Sequence, residues 1–258
     1  NFAGSIFYTY GRAFDTQSLT SSTAFSQYRY GRALGNAHSN TDATPSRWDQ
    51  PVRIVANGTY TLPTKTDVSL IWVGQSGGRF DYVYNQDLNG DGITLNDLIY
   101  VPTDARNAAE MQFSPFTTRG VTYSAAEQAE AFNGFIASMA CLREARGRIM
   151  SRLSCREPFT NRVDLSVRQS VPMFRGQALS VALDVINFGN LLNDNWGRVP
   201  LTSGTPVTLL TSGTSLVGGA TLPAGGQPLY NFDPTQQRFN ADRLSSNYQM
   251  QLSVRYSF

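Results

Sequence analysis

From Asn247 to Phe258 every second residue is apolar. Tyr248, Met250, Leu252, Val254, Tyr256 and Phe258 share one face of an extended chain, and Gln249, Gln251, Ser253, Arg255 and Ser257 share the other. Period-two alternation predicts a β-strand lying between two unlike environments. A strand at the surface of a soluble sandwich shows the same alternation, but this one has the roughly 9–11 residues that a tilted strand needs to cross a bilayer. It also places Tyr248 near one end and Tyr256 and Phe258 at the other, as membrane strands place aromatics at the two interfaces.

The same alternation recurs upstream. Phe2 to Phe14 sets Phe2, Ile6, Tyr8 and Tyr10 against Ala3, Ser5, Phe7 and Thr9, and Gln50 to Leu62 sets Val52, Ile54, Ala56, Tyr60 and Leu62 against Arg53, Asn57, Thr59 and Thr61. A tight connection, Pro63 to Thr66, predicts a hairpin with a third strand that starts at Asp67 and runs on to Tyr84 past Gly77-Gly78, a pair that suggests a bend or bulge. Phe159 to Arg168 reads as a fourth strand and Leu179 to Val185 as a fifth, joined by a turn at Phe174-Arg175-Gly176. Three long connections remain. Asp15 to Asp49 is polar and aperiodic, Asn85 to Thr160 contains a helix predicted from Ser124 to about Ala145, and Gly189 to Ser246 is Gly/Ser/Thr/Pro-rich from Thr202 to Gln227.

The connections therefore alternate long, short, long, short, long. The predicted fold class is all-β: an antiparallel transmembrane β-barrel segment of six strands, with long extracellular loops, short periplasmic turns and a short loop helix. Closed single-chain barrels start at about eight strands, and open edges find no water in lipid. Residues 1–258 are accordingly expected to be one incomplete barrel, completed by strands of the same longer chain or of another chain.

Composition adds limits. Mean hydropathy is −0.27 with 12% aromatic residues, and no run of about 18 apolar residues exists that would make a spanning helix. A barrel escapes that test because alternate residues are polar. The net charge is +2, without a Lys/Arg block, so nucleic acid is not an expected partner. The sequence opens at Asn1 with neither Met nor a signal segment, which reads as a processed or partial sequence.

Cys141 and Cys155 lie in one connection. In an oxidising compartment they are expected to pair, closing a short loop worth about 3 kcal/mol; the alternative is two unrelated buried thiols, and no His lies nearby to make a metal site. Asp87, Asn89, Asp91 and Gly92 reproduce the D-x-N-x-D-G opening of a calcium loop, in which alternate oxygens converge on a hard cation and Gly permits the turn. The twelfth position, where a carboxylate belongs, is Leu98; Asp97 stands one place early, with Asn96 beside it. A stack of Asx and Gly turns explains the same residues without metal. His38, the one histidine, sits in a polar loop without a nucleophile motif, so no enzyme is expected. Arg53, Asp164, Arg168, Asp184 and Arg255 face the lumen, as a charge ladder, as contacts to a plug, or simply solvated.

The stretch Asn85 to Pro102, followed by Phe135-Ile136, Arg146-Gly147, Pro158 and Asp164, then Leu183 to Gly197 and the ending Gln249 to Phe258, resembles the C-terminal barrel region of TonB-dependent outer-membrane receptors. More closely it resembles the Oar-like subgroup, whose members carry a carboxypeptidase-regulatory-like domain. Leu153 departs from the pattern, since Asn is expected after Arg152. The resemblance implies a barrel of about 22 strands occluded by an N-terminal plug, in the bacterial outer membrane, taking up a scarce ligand with energy delivered by TonB. This chain would supply the last six strands, without the plug. Its aromatic ending, with Tyr248, Tyr256 and Phe258, resembles the signal read by the barrel-assembly machinery. Two other functions fit the residues: a surface-display protein whose loops bind partners, and a passive oligomeric pore.

Overall fold

The computed structural model describes residues 1–19, 21–30, 42–174, 177–203, 206–212 and 228–258. Six long strands form one antiparallel sheet in sequence order: β1 (Phe2–Tyr10), β2 (Val52–Thr61), β3 (Thr66–Gln75), β4 (Thr160–Pro172), β5 (Ala178–Ile186) and β6 (Gln249–Ser257). All six predicted strands are present. Among the described residues the sheet stays open, because β1 and β6 each pair on one side only.

Register settles the faces, since directly opposed residues point the same way. Tyr8 opposes Ile54, Ala56 opposes Trp72, Leu70 opposes Leu165, Val167 opposes Leu183, and Leu183 opposes Leu252. The larger apolar set of each strand therefore merges into one continuous face, while Phe7, Val55, Val73 and Ile71 fall on the reverse face. The reverse face carries Ser5 hydrogen-bonded to Asn57 at 2.8 Å, Thr59 to Ser69 at 2.8 Å and Ser166 to Asp184 at 2.5 Å. Short turns lie at one end of the sheet. The first, Pro63 to Lys65, is closed by Leu62 and Thr66; Arg175 and Gly176 of the second lie outside the described residues.

At the opposite end the long connections build a cap with its own core, and here the sequence reading needs correction. β3 stops at Gln75 rather than continuing to Tyr84. The chain leaves the sheet at Gly77, where a Cβ atom would stand 2.3 Å from the Glu157 carbonyl oxygen, so only Gly allows the strands to separate this tightly. Tyr82–Tyr84 then enters a second sheet, parallel to Val207–Ser212, which pairs antiparallel with Leu229–Asn231, itself parallel to Gln112–Phe113. The two last long connections thus fold together as one unit, and Val207–Ser212 is a strand inside a stretch that its composition marks as loop. The first connection, expected to lack regular structure, contains helix α1 (Ala24–Tyr30) and a two-residue pairing of Phe14–Asp15 with Thr44–Pro45.

The helix expected from Ser124 to about Ala145 is two helices, α2 (Ala125–Ser138) and α3 (Ala140–Glu144), because Met139 between them is extended at φ −118°. Ser124 caps α2 through the Glu127 N–H while the Glu127 carboxylate accepts from the Ser124 N–H, a reciprocal capping box. The inner face of α2 buries Gln128, Ala129, Phe132, Phe135 and Ile136. Buried Gln128 is fully used, donating to the Ser114 carbonyl at 2.7 Å and accepting from the Phe232 N–H at 3.1 Å. Phe132 and Phe232 meet at 5.1 Å between ring centres beneath it. Cys141 of α3 and Cys155 form a disulfide with Cα atoms 5.2 Å apart, and Cys155 also pairs with Phe80 in a short strand bridge. The staple fastens the helical part of the cap to the chain that re-enters the sheet.

Candidate functional site

Two acidic sites occupy the cap, and the protein treats their charge in opposite ways. The first lies where cap and sheet meet. The fully buried Asp49 carboxylate accepts from Arg79 Nη2 at 3.0 Å, Arg156 Nη2 at 2.6 Å and the Ala13 N–H at 3.2 Å, with Arg12 Nε at 3.5 Å. Arg12 follows β1, Asp49 precedes β2, Arg79 follows β3 and Arg156 precedes β4, so one carboxylate ties the cap ends of four strands. Burial works against its ionisation, but the Ala13 N–H and the arginines Arg79 and Arg156 outweigh burial and hold its carboxyl below the ordinary range. Arg152 makes a similar link to Asp15 at 2.7 Å. None of these residues carries a local signal, since Asp49 and Arg156 stand 107 positions apart.

The second site is the loop read from the D-x-N-x-D-G motif, and it leads straight out of the buried Tyr82–Tyr84 strand. Asp87, buried, accepts the N–H of Gly90 on Oδ1 and of Gly92 on Oδ2, both at 2.7 Å. These glycines have φ of 76° and 84°, values that a side chain would strain. Asn89 Oδ1 accepts the Asp91 N–H at 2.9 Å, and Asp91 Oδ1 accepts the Ile93 N–H at 2.8 Å. Asn96, fully buried, donates from Nδ2 to Asp91 Oδ2 at 2.9 Å. Asp97, also buried, reaches back to the Leu88 N–H at 2.7 Å and the Asn89 N–H at 3.3 Å. Leu95, just before Asn96, has φ 65°.

All five residues singled out by sequence, Asp87, Asn89, Asp91, Asn96 and Asp97, therefore belong to one hydrogen-bonded loop. Among the described residues no three His, Cys, Asp or Glu side chains converge on a point that would hold a metal, and no Lys or Arg forms an ion pair with Asp87, Asp91 or Asp97. Burial raises the Asp97 carboxyl above its ordinary range, and the nearby Asp91 and Asp87 charges add to that despite its two backbone donors.

The other predicted positions are scattered. Arg53, Asp164, Arg168, Asp184 and Arg255 all fall on the polar sheet face by register. They do not form a ladder: Asp164 pairs with Arg162 at 3.1 Å on its own strand and accepts the Asn187 N–H at 2.8 Å. Tyr248 sits at the cap end of β6, while Tyr256 and Phe258 stack at 6.1 Å at the other end, exposed. His38 lies outside the described residues. An open recess of about 570 Å³ borders the Asp49 cluster, lined by Arg47, Trp48, Arg79, Glu157 and Thr202. No family model, curated protein or solved structure matches the chain.

Proposed function

We propose that this chain is the C-terminal barrel portion of an outer-membrane TonB-dependent receptor of the Oar-like kind, with the apolar face of its sheet against lipid and the cap outside. The observation that carries the proposal is the continuous apolar face: Ile6, Met250, Leu252 and Val254 are among its members and remain exposed, while the reverse face is mainly polar apart from a patch of Phe7, Val55, Ile71 and Val73. Strands of nine to thirteen residues tilted by about 40° give an apolar band of about 25 Å, the height of the lipid-facing band of bacterial barrels. The sorting of short turns to one end and long connections to the other supports the same orientation. The unpaired edges of β1 and β6 call for further strands, and the plug, TonB and the transported ligand belong to those missing parts. Leu153, at the position where the family resemblance leads one to expect Asn, has φ 51°, a region that Asn adopts more readily than Leu.

One observation favours a second reading. A cap with its own core and a disulfide suits a display protein in which the sheet anchors an external binding unit.

The membrane reading is tested with the intact gene product in which every tryptophan other than Trp72, including Trp48 and Trp196, is replaced by Phe. Trp72 lies on the apolar face, opposite Ala56 and Val163. Vesicles with brominated acyl chains should quench it. A protein that stays monomeric in water without detergent, with Trp72 unquenched, overturns the proposal.

A further inference from the structure

We propose that the recess where the cap meets the sheet is a binding site for a neutral oligosaccharide, with Trp48 as the platform on which one sugar ring rests. All three long connections line it: Trp48 and Gln50 come from the first, Arg79 and Glu157 from the second, Thr202 and Ser203 from the third. Its volume of about 570 Å³ lies in the range of small-molecule sites. The turn that carries Trp48 is pinned at both ends. Buried Ser46 and buried Asp49 close it through the Asp49 N–H on the Ser46 carbonyl at 3.0 Å, with Arg47 and Trp48 at its tip. The Ser46 N–H donates to the Ala13 carbonyl at 2.8 Å, the Arg47 N–H to Ser18 Oγ at 2.9 Å and the Trp48 N–H to Ser46 Oγ at 3.3 Å. Arg79 and Arg156 clamp Asp49 itself. A fixed turn that leaves its tryptophan 65% exposed offers an apolar platform whose ordering cost is met before a ligand arrives.

The polar groups around that platform select the ligand. Of the charged side chains lining the recess, Arg79 is turned to Asp49, which leaves Arg47 and Glu157, one of each sign. Arg47 forms no ion pair among the described residues, and its guanidinium lies 5.9 Å from the Trp48 ring centre. Glu157 accepts the Thr202 N–H on Oε1 at 2.9 Å and the Gly78 N–H on Oε2 at 3.3 Å, and the second lone pair of Oε2 is left for another donor. Gln50, exposed, adds an amide with both donor and acceptor. A sugar hydroxyl is at once donor and acceptor, so neighbouring hydroxyls suit planar guanidinium, carboxylate and amide groups set around one rim. The C–H face of a pyranose ring suits the apolar face of an indole. An anion would meet Glu157 and a cation would meet Arg47, whereas a neutral polyhydroxyl ligand satisfies both. The Asp49 cluster behind the wall holds more arginines than carboxylates, which makes an anion the competing ligand. The inference does not rest on the membrane reading, because every residue it uses lies outside the six long strands.

The test uses the intact gene product in detergent. Hexasaccharides of glucose, xylose and mannose are titrated by calorimetry, with sodium phosphate and sodium sulfate as the ionic probes. At least one hexasaccharide is expected to bind saturably with a Kd of about 1 mM or tighter. Its affinity should change little between about 0.05 and 0.5 M NaCl, because no ion pair forms with the ligand. Trp48→Ala should weaken binding about tenfold through loss of the ring contact, and Gln50→Ala several-fold. Trp196→Ala, which removes an exposed tryptophan outside the recess, should leave binding unchanged. If Trp48→Ala does not fold, Gln50→Ala and the emission of a protein with Trp48 as its sole tryptophan decide: saccharide should shift that emission to the blue. No saturable heat from any of the three hexasaccharides at about ten times that Kd overturns the proposal, and so does an affinity that survives Trp48→Ala. Displacement by phosphate or sulfate, or loss of binding in salt, overturns the saccharide assignment and makes the recess an anion site. Quenching of Trp48 by brominated acyl chains, without a response to saccharide, makes it a membrane-interface aromatic and equally overturns the site.

Discussion

The sheet and the cap draw on the same apolar residue types and place them in opposite ways. In the cap, Phe132, Ile136, Leu142 and Met150 are each 0% exposed, whereas on the sheet Ile6 is 78%, Leu252 69% and Val254 66% exposed. Folded domains leave scattered apolar side chains in water, but contiguous apolar patches beyond a few hundred Å² mark a surface that meets something other than water. The cap is built as a soluble domain is built, around a closed core. The sheet is built the other way, with its polar face hydrogen-bonded across strands and its apolar face outward. The difference teaches that the two units dispose their apolar side chains by opposite rules, as the proposed membrane setting requires, and that the Asp49 cluster lies at the joint between them.

The comparison breaks most visibly in the cap. Phe132→Ala removes a ring that meets both Phe113 and Phe232 and should destabilise the cap by about 3–5 kcal/mol, the usual range for a fully buried aromatic. The loss should be the same in any detergent, because lipid does not reach that core. Unfolding monitored through cap fluorescence in two detergents of different chain length checks this, and a strong dependence on detergent would remove the distinction between the units. On the sheet the expected effect is somewhat smaller and its solvent dependence is reversed. Leu252→Arg should cost about 2–4 kcal/mol where that face meets hydrocarbon and close to nothing where it meets water. Folding into bilayers, measured by the heat-modifiable shift of the folded band on gels, distinguishes the two; a neutral result would put water on the apolar face.

Strands were legible in the sequence because each carries its own period-two pattern, and register then follows from turns as short as Pro63 to Lys65. The disulfide was legible for a similar reason, two cysteines in one connection. The cap was not. Tyr82, Val83 and Tyr84 are buried on both faces, so the aromatic alternation marked a strand but not the sheet it joins, and the departure at Gly77 involves Glu157, far away in the chain. The Asp49 cluster and the parallel partner Val207–Ser212 likewise exist only through distant contacts. In the stretch Asp87 to Asp97 the motif marked residues that share one hydrogen-bonded loop, but not that Asp97 accepts the Leu88 and Asn89 N–H groups or that Leu95 takes φ 65°.

The smallest of the expected effects isolates the cap from the sheet. Ser124→Ala removes the N-cap of α2 and leaves the Glu127 N–H without its side-chain acceptor, a loss worth about 1 kcal/mol at helix starts. The Ser124 hydroxyl and backbone N–H, in that order, hold the Glu127 carboxyl below its ordinary range. A carboxyl lowered in the folded state adds stability that is present above its unfolded pKa and is lost as pH falls through the folded one. The parent protein should therefore lose part of its cap stability on acidification below the ordinary glutamate range, and Ser124→Ala should show a shallower loss over the same interval. Hydrogen exchange resolves the two units: faster exchange in α2 and its neighbours Phe113 and Phe232, with the amides of β4 and β5 unchanged, is the pattern of a cap that opens on its own. Equal acceleration in both would mean that the Asp49 joint makes cap and sheet one cooperative structure, and that their opposite surfaces do not mark separate folding units.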